Sequence, residues 1–239
     1  MRRPPEAFGL IARLLNQIFP SRCPSCEGAT DSIRYAPLCR GCWGSISRYA
    51  GPSCTVCGVP FTSTDARICS ACILHPPPFS KTLSYGLYES SLADAIHAFK
   101  FKGIRRLHRP LGDLLLSLYP GGADALVPVP LSIEGLRQRG FNQSLLLAHH
   151  VSKKTGVALE MDGLVKVRDT HPQIGLSAKE RAANLRGAFR AARDFRGERV
   201  VLVDDVMTTG ATAAACARQL LKAGAADVVV LTLARAGSP

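Results

Sequence analysis

At 239 residues, the chain is long enough for one ordinary domain and a smaller appendage. Hydrophobic residues make up 46% of the sequence, and this fraction excludes a wholly disordered chain. The formal net charge of +12 favours anionic partners such as nucleotides, diphosphates or nucleic acids, without selecting among them.

Residues 1–20 are predicted to form an amphipathic helix, because their apolar side chains fit one helical face. The segment starts with basic residues but lacks the long apolar stretch and clear cleavage site of a secretory signal. No apolar run approaches the length of a membrane span. We therefore expect a cytoplasmic protein whose thiols stay reduced.

Eight of the nine cysteines form four C-x₂-C pairs at nearly equal spacing. Each pair can present two thiolates from one tight turn, and two pairs complete a tetrahedral Zn²⁺ site. Four disulfides would require an exported protein, and even spacing argues against a redox pair. Residues 21–75 are thus predicted to be a double zinc ribbon with two structural Zn²⁺ sites. The ligands would be Cys23, Cys26, Cys39, Cys42, Cys54, Cys57, Cys69 and Cys72. Sequential pairing is the simplest arrangement, and a crossed one stays open.

Residues 76–80 are predicted to be a stiff proline linker to a main domain over residues 81–239. This domain begins with a predicted strand over 81–88 and a helix over 91–101. A run of five cations among residues 100–109 follows, with Phe99 and Phe101 interleaved at its start. Such a run is typical of single-stranded nucleic acid binding, or of cations that complement a helix dipole.

The middle of the main domain contains further strand and helix patterns. Residues 126–130, LVPVP, are predicted to be a strand running into a proline-fixed loop, with Arg137 and Arg139 shortly after it. A helix is predicted over 144–154 and a strand over 164–167. Residues 168–189 are long for a connection and suit a mobile lid, within which 177–185 carry helix signals. His171 in this segment is interpreted as a solvated side chain.

The segment RVVLVDDVMTTGAT, residues 199–212, has the most informative residue order in the chain. Its apolar run, 200–203, is typical of a parallel strand buried on both faces. Asp204 and Asp205 are placed at the end of that strand, before a loop of threonines and glycine. A helix over 213–222 and a strand over 227–233 are predicted to follow. The alternation of strands and helices after residue 80 predicts an α/β fold, a mainly parallel sheet with helices on both faces.

This order of strand, acids, loop and helix suits a sugar phosphate. The amino terminus of a helix binds phosphate, and Gly210 allows close approach of the backbone. Two carboxylates would repel a bare polyphosphate, but they can accept hydrogen bonds from sugar hydroxyls or hold a divalent cation through water. The alternative is an ordinary strand-to-helix turn. No Walker A lysine motif is present.

The segment VVLVDDVMTTGAT resembles the phosphoribosyl-pyrophosphate (PRPP) motif of type I phosphoribosyltransferases. The resemblance implies that Asp204 and Asp205 bind the ribose hydroxyls and are the catalytic acids, with Mg²⁺ held on the diphosphate. It also implies that the 5-phosphate binds to Thr208, Thr209, Gly210, Ala211 and Thr212.

The motif order narrows the resemblance further. A double zinc ribbon, FKFKG, VPVP with RQRGFNQ, the lid segment and VVLVDDVMTTGAT together resemble the ComF family, which is linked to bacterial competence and DNA uptake. The resemblance implies Mg²⁺-dependent transfer of phosphoribosyl from PRPP to an unknown acceptor. It implies that residues 168–189 form the loop that closes over PRPP. It also implies positions near the phosphates for Pro130, Leu131, Arg137, Arg139, Lys100 and Lys102.

Partners implied by the resemblance are single-stranded DNA and competence or helicase proteins, together with homo-oligomers. Two alternatives remain open. The chain would be a catalytically silent regulator that keeps PRPP as a ligand, or a nucleic-acid-binding module that uses its zinc ribbons.

Overall fold

The computed structural model describes residues 22–62, 66–168, 180 and 183–237. The predicted helix over 1–20 lies outside these residues. Most of the predicted lid, residues 168–189, also lies outside them, including His171 and the first part of the helix predicted over 177–185.

The sheet strands lie in the main domain. They are β1 (Lys81–Leu87), β2 (Ala125–Pro128), β3 (Ala158–Leu159), β4 (Leu164–Lys166), β5 (Phe189–Ala191), β6 (Arg199–Met207) and β7 (Asp227–Arg235). The helices are α1 (Arg40–Gly44), α2 (Ser70–Leu74), α3 (Ser90–Phe101), α4 (His108–Leu116), α5 (Ile133–Arg139), α6 (Gln143–Thr155) and α7 (Ala211–Lys222). A 3₁₀ turn, Arg105–Leu107, precedes α4.

Five strands form one parallel sheet in the order β1-β7-β6-β2-β3. This confirms the predicted α/β fold. The strand predicted over 164–167 is present as β4, but it pairs antiparallel with β5 in a separate two-stranded sheet. The two strands of this small sheet therefore lie at the two ends of the predicted lid in the sequence, and β4 does not extend the main sheet.

Alternating side chains of β6 bury both faces of the sheet. Val201 and Val203 join the apolar cluster of α3, α4 and α6, whereas Val200 and Leu202 join the cluster of α7. These four side chains are at most 2% exposed. Helices cover both faces, as the unbroken apolar run predicts.

Strand β6 is longer than predicted, because β7 pairs with it along its whole length. Asp204 pairs with Thr232, and Met207 pairs with Arg235. The acids therefore lie within the strand, not beyond its end. Main-chain pairing outweighs the low strand propensity of aspartate here.

Two helices of the main domain, α4 and α5, were not predicted from the sequence. Ser132 caps α5 by accepting a hydrogen bond from the Gly135 N–H at 3.0 Å, and Gly140 ends the helix with a φ of 72°. Arg137 and Arg139, which follow the proline-fixed loop in the sequence, both lie on α5. Helix α4 contains Pro110 in its first turn, where no intrahelical N–H bond is lost.

The first ribbon (residues 22–45) packs against α3 and α4. Arg34 pairs with Asp113 at 2.9 Å, and the Nε of Arg106 donates to the Ala36 carbonyl at 3.2 Å. The hydroxyl oxygens of Ser25 and Ser91 are 3.0 Å apart. The first ribbon thus lies on the sheet face covered by α3, α4 and α6.

The second ribbon (residues 53–62 and 66–75) lies on the opposite face. Cys54 and Cys57 belong to the apolar cluster that contains α7 and Met207. Between the ribbons, the Tyr49 N–H donates to the Tyr85 carbonyl of β1 at 2.8 Å. The chain therefore passes from one sheet face to the other along the β1 edge. None of the described helices is long and apolar enough to cross a bilayer.

Candidate functional site

A cavity of about 400 Å³ lies where β2 and β6 end, a common ligand position in parallel sheets. Its volume falls in the range of small-molecule sites. It is lined by Lys100, Val129, Pro130, Leu131, Ser132, Arg139, Lys166, Leu185, Phe189, Asp204, Thr208 and Thr212. Loops and helices that are far apart in the sequence therefore line one cavity.

Asp204 contributes the acidic group of this cavity. The residue as a whole is half-buried, while its carboxyl group is enclosed by protein. Burial, together with the neighbouring Asp205 carboxylate, raises the pKa of Asp204 to about 7. Two donors oppose this shift by binding Oδ1: the Ser144 hydroxyl at 3.1 Å and the Asp205 N–H at 2.9 Å. The carboxyl group is thus poised to change charge near neutral pH.

Asp205 is only 6% exposed and pairs with a cation from another element. Its Oδ1 lies 2.8 Å from the Nζ of Lys100, near the end of α3. This ion pair is well shielded from solvent, so its attraction is screened less than that of a surface pair. A single lysine therefore serves both acids, since its charge also lowers the pKa of Asp204.

The 208–212 loop connects β6 to α7. Gly210 adopts a φ of 80°, in the left-handed region that favours glycine, and it caps the first turn of α7. The Thr209 hydroxyl oxygen accepts a hydrogen bond from the Ala211 N–H at 3.4 Å. Thr208 and Thr212 reach the cavity. The start of a twelve-residue helix thus faces the same hollow as Asp204.

Beside β6, strand β2 leads through Pro130 and Leu131 into α5. Arg139 ends α5, and its guanidinium stacks over the Phe101 ring at 5.2 Å. Its Nη1 donates to the Gln143 side-chain carbonyl at 3.2 Å. This arginine adds positive charge to the cavity wall.

The predicted binding residues divide into two groups. The structure brings Asp204, Thr208, Thr212, Pro130, Leu131, Arg139 and Lys100 together around the cavity, with Asp205 on Lys100. Arg137 and Lys102 are exposed and do not line it, and Thr209, Gly210 and Ala211 belong to the 208–212 loop but are not among the lining residues. The roles of all these residues remain predictions.

Sequence reasoning missed several residues at the cavity. Ser144 donates to Asp204, and Lys166 and Phe189 reach the wall from the small sheet. Asn142 caps α6 and donates through Nδ2 to the Val129 carbonyl at 3.1 Å, which fixes the end of β2. The Asn-Gln-Ser order before an apolar helix is a helix-start signal that pointed to this capping position.

The cysteines form two separate groups of four. Within each group, all sulfurs lie within 4.8 Å of one another. Zn–S bonds of about 2.3 Å in a tetrahedron require sulfurs about 3.8 Å apart. The Sγ atoms of Cys26 and Cys39 are 3.7 Å apart, as are those of Cys57 and Cys69. Both donor sets therefore fit Zn²⁺, and sequential pairing is confirmed.

One thiol in each group is prepared for metal binding by the backbone. Burial raises the pKa of Cys23, but N–H donors from Cys39, Ser25 and Cys26 bring it down to about 6. The pKa of Cys54 is lowered to about 7 in the same way, against the effect of burial. Each group thus contains a thiol that readily becomes a thiolate.

Two known families match separate parts of the chain. The family described as "Double zinc ribbon domain" matches residues 14–73, and the family described as "Phosphoribosyl transferase domain" matches residues 142–239. The two zinc-binding clusters lie in the first match, and the acid pair and the 208–212 loop lie in the second.

Curated relatives match over most of their length. The chain is 35% identical over 213 residues to DNA utilization protein YhgH of Escherichia coli K12, covering 83% of this chain and 93% of the relative. It is 34% identical over 230 residues to competence protein F of Haemophilus influenzae, covering 91% and 98%. It is 28% identical over 218 residues to competence protein ComFC of Bacillus subtilis, covering 83% and 84%.

Proposed function

The chain belongs to the ComF family, and on this premise we propose that it binds PRPP with Mg²⁺ and transfers the phosphoribosyl group to an acceptor. The observation that carries the proposal is one cavity lined by an acid, a helix start and cations. A ribose phosphate bearing a diphosphate carries the groups that each of these parts would bind.

In this proposal each part of the cavity binds one part of PRPP. Asp204 and Asp205 accept hydrogen bonds from the ribose hydroxyls. The 208–212 loop and the amino terminus of α7 bind the 5-phosphate. Arg139 and Lys100 attract the diphosphate, and Pro130 and Leu131 shape the wall beside it. Mg²⁺ would bind diphosphate oxygens and neutralise their charge.

The reaction breaks the bond between the anomeric carbon and the diphosphate and forms one to the acceptor, which loses a proton. Positive charge develops on the sugar ring as diphosphate leaves, and nearby carboxylates stabilise it. Arg139 and Lys100 stabilise the leaving group. Lys100 has to release Asp205 before that acid binds the ribose. Ligand binding therefore changes the ionic partner of Lys100 from the Asp205 carboxylate to the diphosphate.

The proposal also concerns the cell. Relatives are named for DNA utilization and competence, and we propose a role in DNA uptake or use for this chain. We place it in the cytoplasm, where the zinc-binding thiols stay reduced. Single-stranded DNA and a competence helicase are the candidate partners, since the net charge of +12 favours polyanions.

Calorimetric titration of PRPP and Mg²⁺ into the zinc-loaded protein tests the site. We expect binding by the wild type and by Asp162→Asn, an exposed acid outside the cavity, and none by the double variant Asp204→Asn/Asp205→Asn. Omitting Mg²⁺ should weaken binding. A folded wild type that binds no PRPP would overturn the proposal.

Diphosphate release in the presence of candidate bases or single-stranded DNA then distinguishes an enzyme from a silent regulator. Binding without release for any acceptor would favour the regulator. Salt-dependent DNA affinity that is unchanged in the double variant would favour an independent nucleic-acid module.

A further inference from the structure

Arg235 is the last residue of β7, and only 6% of its surface is exposed. Every hydrogen bond that its side chain forms within the described part of the chain goes to a backbone carbonyl. A guanidinium has five N–H donors in a rigid fork, so one such side chain can hold several peptide groups at fixed positions.

The carbonyls held by Arg235 belong to two distant segments. Its Nε donates to the Cys57 carbonyl at 3.0 Å, in the 54–57 turn of the second ribbon (the second zinc knuckle). Its Nη1 donates to the Met207 carbonyl at 3.2 Å and to the Thr208 carbonyl, where the 208–212 loop begins. The same nitrogen donates to the Ala236 carbonyl at 2.7 Å. One side chain therefore bridges a zinc ligand and the loop.

This bridge also orients peptide N–H groups. In a planar trans peptide, the C=O and the following N–H point in opposite directions. Because the carbonyls of Met207 and Thr208 point at Arg235, the N–H groups of Thr208 and Thr209 point away from it. Carbonyl oxygens repel phosphate, and the guanidinium keeps those of Met207 and Thr208 turned towards itself. It also adds a buried positive charge next to the loop.

Side-chain packing supports the same connection. Met207 is 3% exposed and shares an apolar cluster with Cys57. Its Sδ accepts a hydrogen bond from the Thr82 hydroxyl at 3.6 Å. A Cβ added at Gly210 would lie 2.6 Å from the Met207 methyl carbon. Met207 therefore fills the space between the second ribbon and the loop.

The first ribbon has no comparable route to the loop among the described contacts. It reaches the main domain through α4 and the start of α3, at Ser91. Ser91 and Lys100 are nine residues apart on one helix, which corresponds to about 13 Å. The two zinc clusters are thus unequal in their relation to the cavity.

We propose that Arg235 is a positioning residue that ties the 208–212 loop to the second zinc knuckle, so that the second cluster, unlike the first, supports phosphate binding. This inference rests on the proposed function, because it assigns the 5-phosphate of PRPP to that loop.

Calorimetry with PRPP and Mg²⁺ on three full-length variants tests the tie. Arg235→Met removes the fork and the charge, and Arg235→Lys keeps the charge only. Arg106→Met is the matched control, because it removes a guanidinium that donates to a carbonyl of the first ribbon. We expect affinity to fall roughly tenfold or more for both Arg235 variants, a usual size for coupling, and less than about twofold for the control.

Hydrogen–deuterium exchange without PRPP gives a second readout. Amides of residues 208–212 should exchange faster in Arg235→Met than in Arg106→Met, with two zinc ions retained in both. Cys54→Ser should have the same effect on the loop, whereas Cys26→Ser should not.

The outcomes separate the inference from the function on which it rests. A wild type that binds PRPP, with an Arg235→Met affinity within twofold of it, would overturn the inference alone. Arg235→Lys with wild-type affinity would show that charge, not position, matters, and would also overturn it. If the wild type binds no PRPP, the proposed function fails. Independently of PRPP, the tie itself is rejected if the amides of residues 208–212 exchange no faster in Arg235→Met than in Arg106→Met.

Discussion

Replacing Asp204 by asparagine is expected to stabilise the unliganded protein near neutral pH while it removes PRPP binding. The pKa of Asp204 is raised from an ordinary 3.8 to about 7, mainly by burial. Asparagine keeps an oxygen for the Ser144 hydroxyl and the Asp205 N–H but carries no charge. The variant therefore relieves the cost of enclosing a carboxylate.

The magnitude follows from the size of the pKa change. At 1.36 kcal/mol per pKa unit, the upper bound above pH 7 is about 4 kcal/mol. Solvent in the cavity lowers the electrostatic cost, and we therefore expect the variant to gain about 2 kcal/mol in its free energy of unfolding. Between pH 3.8 and about 7 the native state holds more protons than the unfolded state, so wild-type stability falls as pH rises. The advantage of the variant should thus be about half as large at pH 5.5 as at pH 8.

Urea unfolding of the zinc-loaded proteins at pH 5.5 and pH 8 measures this difference. Asp162→Asn serves as the control, because it removes an exposed carboxylate and should leave the free energy of unfolding unchanged. An Asp204→Asn protein less stable than wild type at pH 8 would refute the reasoning. So would an advantage of equal size at both pH values.

Further substitutions have distinct expected outcomes. Asp205→Asn should destabilise by roughly 1–3 kcal/mol in urea unfolding, because it strands the shielded charge of Lys100; an increase in stability would contradict this. Gly210→Ala should cost about 1 kcal/mol or more and weaken PRPP binding, because of its positive φ and the Met207 methyl group; unchanged values in both assays would contradict it. Asp113→Ala, which loses an arginine and a histidine partner, should lower the free energy of unfolding by about 1 kcal/mol without changing PRPP affinity. Zinc removal by a chelator should lower Tm by more than about 10 °C, measured by circular dichroism, and a Tm independent of zinc would exclude structural sites.

Local residue order predicted the strand-to-loop segment and the zinc ligands. Residues 200–203 are apolar without interruption, and this pattern is typical of a strand buried on both faces. Pairs of cysteines two residues apart restrict the possible chemistry in the same way. In both cases the information lies within a few neighbouring residues, so a single sequence is sufficient.

Contacts between distant segments were beyond such reasoning. The pairing of Lys100 with Asp205 depends on how α3 packs on the sheet. The strand β6 continues to Met207 only because β7 runs beside it. Arg235 is a cation in an apolar strand, and its function as a bridge depends on the position of Cys57 in the fold. Each of these follows from tertiary packing, which no local pattern records.

The path of the chain between the two ribbons has a consequence for the edge of the sheet. β1 is a terminal strand, and an uncovered terminal strand offers free main-chain groups to other molecules. The Tyr49 N–H occupies one of these groups, the Tyr85 carbonyl, and the Ser47 carbonyl lies close to Gly86. A fragment limited to residues 81–239 would lose this cover along with the apolar contacts of both ribbons. The cysteine-rich segment therefore covers part of this edge, and we expect a fragment limited to residues 81–239 to associate through the exposed β1 strand.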